Sequence, residues 1–150
     1  MDILNLIKEY LESTKMMQLA TSIDNQPWVC NVWFASDEDL SIYWFSSTTR
    51  RHSKEILVNP KVAGAIVFPQ TPQDAPRGLQ LQGNAEVLKY KEEIDKAISL
   101  FEQRIFQRDA IDRLMEDEKK PHKFYKIKPS KFVLFDVVNF PENSRQEYNL

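Results

Sequence analysis

From Met16 to Phe68 the chain runs through four apolar segments, and the connections between the first three are too short to hold a crossover helix. Met16-Met17-Gln18-Leu19-Ala20-Thr21-Ser22-Ile23 reads as a strand, and Asp24-Asn25-Gln26 before Pro27 as the turn that reverses it into a second strand, Trp28 to Ala35. Ser36-Asp37-Glu38-Asp39 is a second polar turn. Parallel neighbours need a connection of about a dozen residues or more. The spacing therefore selects antiparallel pairing and disfavours a doubly wound parallel sheet.

The third strand opens the stretch Leu40 to Asn59. Leu40, Ile42 and Trp44 alternate with Ser41, Tyr43 and Phe45, a β pattern rich in aromatic and branched residues. The character then changes. Ser46, Ser47, Thr48 and Thr49 offer hydroxyls, Arg50, Arg51 and His52 add cationic donors, and Ser53 to Leu57 reads as a short helix that Asn59-Pro60 stops. Hydroxyls, guanidinium forks and a helix N-terminus delivered to one place suit a phosphate dianion. Surface loops are also rich in these residue types, so the neighbourhood has to decide.

Lys61 to Phe68 is an almost unbroken apolar strand and predicts a central position. Gln70 to Pro76 is irregular and predicts an exposed loop. Gly78 to Lys89 alternates as a strand with a bulge or bend at Gly83. Tyr90 to about Arg108 carries a helical stripe of Ile94, Ala97, Ile98, Phe101 and Ile105, and a shorter helix spans Ala110 to Met115. Glu116 to Lys120 reads as a solvated turn. Phe124 to Lys128 and Lys131 to Val138 read as two strands separated by Pro129-Ser130. A first helix, 2–14, is capped by Asp2, and a polar tail without a period occupies 139–150. The sum is a mainly β, six- to seven-stranded antiparallel barrel over 16–138 with helical additions, one domain across 1–150.

Composition narrows the function. A net charge of -2 provides no field to gather nucleic acid or an anionic membrane surface. The single cysteine, Cys30, and the two histidines, His52 and His122, leave little for a disulfide framework or a metal site and fit a reducing compartment. No apolar run approaches a membrane span, and the N-terminal residues are acidic where a secretory signal is basic, which predicts a cytoplasmic protein. Three glycines, Gly64, Gly78 and Gly83, cannot assemble a Gly-rich phosphate loop. Any phosphorylated cofactor must be held by side chains and a helix end.

Four features in order, Pro27-Trp28-Val29-Cys30-Asn31-Val32-Trp33-Phe34, Phe45-Ser46 with Arg50-Arg51-His52, Asn59-Pro60-Lys61-Val62, and Leu79-Gln80-Leu81-Gln82-Gly83-Asn84-Ala85, resemble the pyridoxamine 5'-phosphate oxidase-like family of FMN-binding split barrels, most nearly its small bacterial members of unassigned activity. The resemblance implies a homodimer with flavin mononucleotide, FMN, in clefts between the barrels. It implies a phosphate grip by Arg51 first, with Arg50 and His52 as departures from the family's Ser-Arg-Lys pattern, and with Ser46 donating its hydroxyl. It also implies that Cys30, Asn31, Val32 and Trp33 offer their backbone edge to the flavin ring, that Phe45 belongs to the cofactor site, and that Gln80 lies near the fifth-strand position from which a polar side chain reaches the flavin, in its own or the partner subunit. Trp33 and Trp44 read as core or interface residues ahead of flavin contacts, Cys30 as an inert small hydrophobe, and His122 as surface. The vitamin B6 oxidase's substrate-binding arginine and histidine have no counterpart in Pro141 to Leu150, so oxidation of pyridoxamine phosphate is not implied. The resemblance implies a flavin-dependent oxidoreductase acting on an unassigned small molecule. The alternative is a non-catalytic binding or stress-response protein holding flavin, deazaflavin or haem.

Overall fold

The computed structural model describes residues 2–150. Seven strands and four helices follow in the order α1 (Ile3–Ser13), β1 (Met16–Ile23), β2 (Gln26–Ser36), β3 (Ile42–Ser47), α2 (Arg51–Val58), β4 (Lys61–Val67), β5 (Arg77–Val87), α3 (Lys91–Arg104), α4 (Arg108–Met115), β6 (His122–Asp136) and β7 (Arg145–Asn149). The sheet is antiparallel, ordered β3-β2-β1-β4-β5-β6-β7, and an additional β3–β6 pairing closes six of the strands into a barrel. Asp24 and Asn25 both adopt positive φ, 50° and 63°, in the two-residue loop between β1 and β2. That conformation matches the twist of a tight hairpin, and Asp and Asn tolerate it.

The barrel interior is filled by alternate residues: Met17 and Leu19 of β1, Val32 and Phe34 of β2, Ile42 and Trp44 of β3, Leu79 and Leu81 of β5. The helix α1, with Asp2 accepting from the Leu4 amide at 3.1 Å, lays Leu6, Ile7, Tyr10 and Leu11 onto the same core. The other face of β3 is covered as well. Tyr43 and Phe45 join Ala97, Ile98 and Phe101 of α3, Ile111 of α4 and Phe124 of β6 in a second cluster outside the barrel. β3 is therefore buried along its whole length, which explains a strand apolar on both phases.

Three expectations need correction. The helix from Tyr90 ends at Arg104, because the Arg104 guanidinium donates to the Leu11, Glu12 and Thr14 carbonyls at the end of α1 and fixes the C-terminus of α3 there. Pro129-Ser130 does not separate two strands; β6 runs unbroken from His122 to Asp136. Its partners shift register there, Gln82 opposite Lys131 but Gly83 opposite Pro129, so Ser130 is the extra residue of a bulge that accommodates a proline lacking an N–H. The tail is not without structure: Arg145–Asn149 forms β7 on the second half of β6. Among the described residues no helix is long and apolar enough to cross a membrane.

Candidate cofactor site

The barrel is split between β2 and β3. These strands pair only through Phe34↔Trp44, Ala35↔Tyr43 and Ser36↔Ile42. Beyond Trp44, β3 continues against β6 as far as Ser47↔His122, while β2 stays with β1 down to the hairpin. The free edge of β2 thus faces a gap. A cleft of about 470 Å³ lies in it, lined by Trp28, Cys30 and Asn31 from β2, Phe45, Ser46 and Ser47 from β3, Arg50, Arg51 and His52 from the start of α2, and His122 from β6.

Seven of the residues named from sequence meet in this cleft: Cys30, Asn31, Phe45, Ser46, Arg50, Arg51 and His52. Three do not. The Val32 side chain is buried in the barrel core, leaving only its backbone at the gap. Trp33 points outward beside Met16, half-exposed. Gln80 lies on the outer face of β5, in a groove with Arg77, Phe135 and Arg145. Sequence reasoning missed Trp28, Ser47 and His122 as cleft residues, the last because only the β3–β6 pairing carries it there.

Hydrogen bonds hold the polar end of the cleft in place. The buried His52 imidazole Nε2 and Ser46 Oγ are 3.0 Å apart, Ser53 Oγ donates to the Ser47 carbonyl at 2.7 Å, and the Thr49 amide donates to Ser47 Oγ at 3.2 Å. Burial, and then the Arg50 charge, lowers the His52 pKa, so the imidazole is neutral at physiological pH. Burial likewise pushes the Cys30 thiol up to about 11. The carboxylate of Glu55 accepts from Thr21 Oγ1 at 2.7 Å and from Arg51 Nε at 2.9 Å, and these donors lower its pKa. The Arg51 guanidinium carbon also lies over the Trp28 ring, 4.1 Å from its centroid.

The N-terminus of α2 differs from the others. α1 has Asp2 as its cap, α3 has Glu92 and Glu93 in its first turn, and α4 has Asp109. α2 has no side-chain cap and no acid in its first turn; Arg50 occupies the cap position and Arg51 the first turn. Cations at the positive end of a helix dipole are unfavourable by themselves. Free N–H groups and guanidinium donors converging there suit an anion.

A family model described as pyridoxamine 5'-phosphate oxidase matches residues 3–135. The chain belongs to that family. A UPF0306 protein of Photorhabdus laumondii is 29% identical over 92 residues, 61% of this chain and 63% of that protein, so the match spans under two thirds of the relative's length. Among solved structures, the haem storage protein HutZ of Vibrio cholerae aligns with TM-score 0.71 at 22% identity, covering 86% of this chain and 91% of that one. An FAD-binding protein of Mesorhizobium loti aligns with TM-score 0.65 at 20% identity, covering 88% and 90%. At these identities the likeness is one of fold, the split barrel.

Proposed function

We propose that this chain binds FMN noncovalently in the β2–β3 cleft and works as a flavin-dependent oxidoreductase on a small molecule. The observation that carries the proposal is the N-terminus of α2 at one end of the cleft, with no acid in its first turn and two arginines at its start. The phosphate sits there, among Arg50, Arg51, His52 and Ser46. The cleft volume of about 470 Å³ falls in the range of small-ligand sites. The isoalloxazine ring extends along the unpaired edge of β2, where Cys30, Asn31, Val32 and Trp33 offer amides and carbonyls to its polar rim and Phe45 an apolar surface. The cofactor supplies the hydride chemistry, and the chain positions it and limits its contact with water.

A homodimer belongs to the same proposal. Asn31, Gln18, Ala65 and Gln80 fall in one row across β2, β1, β4 and β5 by their register, so Gln80 and the outward side of the cleft wall share one outer face. A second copy docked on that face brings its Gln80 towards the cleft. The decisive experiment is the absorption spectrum of purified protein, with cofactor extraction and mass spectrometry. A bound flavin band, bleached by a nicotinamide nucleotide, supports the oxidoreductase; protein that stays colourless and takes up no added FMN refutes it.

A haem-binding role is favoured by one observation. His122 Nδ1 lies 3.2 Å from the Lys120 carbonyl, which can only accept, so Nδ1 carries the hydrogen and Nε2 is left as the group with a lone pair, the arrangement common in metal-ligating histidines. A Soret band in place of a flavin band, lost in His122→Ala, identifies that case.

A further inference from the structure

Resting on the FMN proposal, we infer that the two adjacent arginines divide the work: Arg50 is the net positive charge that the phosphate meets, and Arg51 is a positioning residue that neutralises Glu55 and props Trp28. Arg50 is exposed and forms no ion pair among the described residues. Arg51 is engaged on two sides, its Nε ion-paired to Glu55 at 2.9 Å and its guanidinium carbon over the Trp28 ring, 4.1 Å from the centroid. Glu55 is buried at 6% exposure, one helical turn along the same face, with Thr21 holding its other oxygen. The pair contributes no net charge to the cleft. Without Arg51, a buried carboxylate stands close behind the phosphate site, and like charges repel. Glu55 therefore sets how much positive charge reaches the ligand, and Arg51 acts through it and through the Trp28 wall.

Substitution separates this division from a direct clamp by Arg51, because the two predict opposite signs. FMN affinity is read from the quenching of flavin fluorescence, with riboflavin as the phosphate-free probe and thermal melts confirming that each variant is folded. Arg50→Ala weakens FMN about 10- to 100-fold, the loss of one charge-assisted hydrogen bond, and leaves riboflavin within about twofold. Arg51→Ala also weakens FMN. Glu55→Gln tightens FMN several-fold, since it unmasks the Arg51 charge, and the double variant Arg51→Ala with Glu55→Gln returns to within about threefold of wild type. A double variant as weak as Arg51→Ala alone, or Glu55→Gln that weakens FMN by loosening an oriented clamp, overturns the inference while wild-type binding keeps the FMN proposal intact. Wild-type protein that quenches no FMN removes both.

Discussion

Cys30 illustrates how one residue's surroundings decide its chemistry. It faces the cleft from the inward phase of β2 and packs partly against the barrel core, and burial raises its thiol to about 11. The sign follows directly: the neutral thiol persists at physiological pH, and thiolate appears only as pH approaches that value. A disulfide reagent at mildly alkaline pH should therefore modify Cys30 roughly 100-fold more slowly than free cysteine, the rate rising with each pH unit. Modification at the free-cysteine rate would show an open, activated thiol instead. The same scale shows what the sequence concealed. That Arg51 and Glu55 are four apart on a helix is legible as an ion pair, but that Glu55 is buried against Thr21 of β1 depends on a contact 34 residues away.

At the scale of elements, β5 and β6 are held to each other and to α1 by two devices. The first is the bulge. A Cβ on Gly83 would lie 2.8 Å from Pro129 Cα and clash with the Lys128 carbonyl, all of it backbone that cannot swing aside. Gly83→Ala should destabilise the fold by about 1–3 kcal/mol in urea melts, the range of overpacked sites, whereas alanine at Gly78, whose nearest neighbour is the Ile66 carbonyl at 3.6 Å, meets only ordinary contact. Equal melts for the two variants would deny the bulge its role. The bend at Gly83 was readable from the strand pattern. The unbroken β6 and the strand β7 were not, since Pro129 reads locally as a breaker and Arg145–Asn149 is polar, exposed in alternation and paired only through β6.

The second device is a latch. Tyr10 of α1 donates its hydroxyl to the buried Asp136 of β6 at 3.0 Å and accepts from Arg77 Nε of β5 at 3.0 Å. Burial raises the Tyr10 pKa from 10.0 to about 12. Because the folded value lies above the unfolded one, the stability the phenol contributes is complete below pH 10 and is lost as pH rises towards 12. Tyr10→Phe should cost about 1–3 kcal/mol at neutral pH, and its deficit against wild type should shrink above pH 10. A deficit independent of pH would mean that packing, not the hydroxyl, carries the effect.

For the whole molecule, short connections disfavoured the parallel class, whereas the strand order and the β3–β6 closure rest on pairings between segments far apart in the chain. What local pattern left open is which outer face stays unmatched. Trp33 pairs across from Met16, and Val67 and Phe135 flank Gly78, placing exposed apolar side chains on the outer wall of β2, β4 and β6, with Val29 beside them. Trp33 is 46% exposed and Val67 55%, and Ala65 and Ala63 follow Val67 along the same face of β4 towards the row of Val29. An apolar wall of this kind is where the homodimer proposed above would form. Its neighbour, the cleft, is walled by Trp28, Cys30 and Asn31 of the same strand β2, so association and cofactor binding should be linked. Trp33→Glu places a charge on this wall without touching the barrel core, and should convert the proposed dimer to a monomer in sedimentation velocity while the thermal melt of the monomer remains cooperative. If the proposed dimer carries the partner's Gln80 towards the cleft, FMN affinity should fall in parallel, and raising the protein concentration should restore both together. A Trp33→Glu protein that stays dimeric, or a monomer that binds FMN as tightly as wild type, would break the link between the outer wall and the cleft.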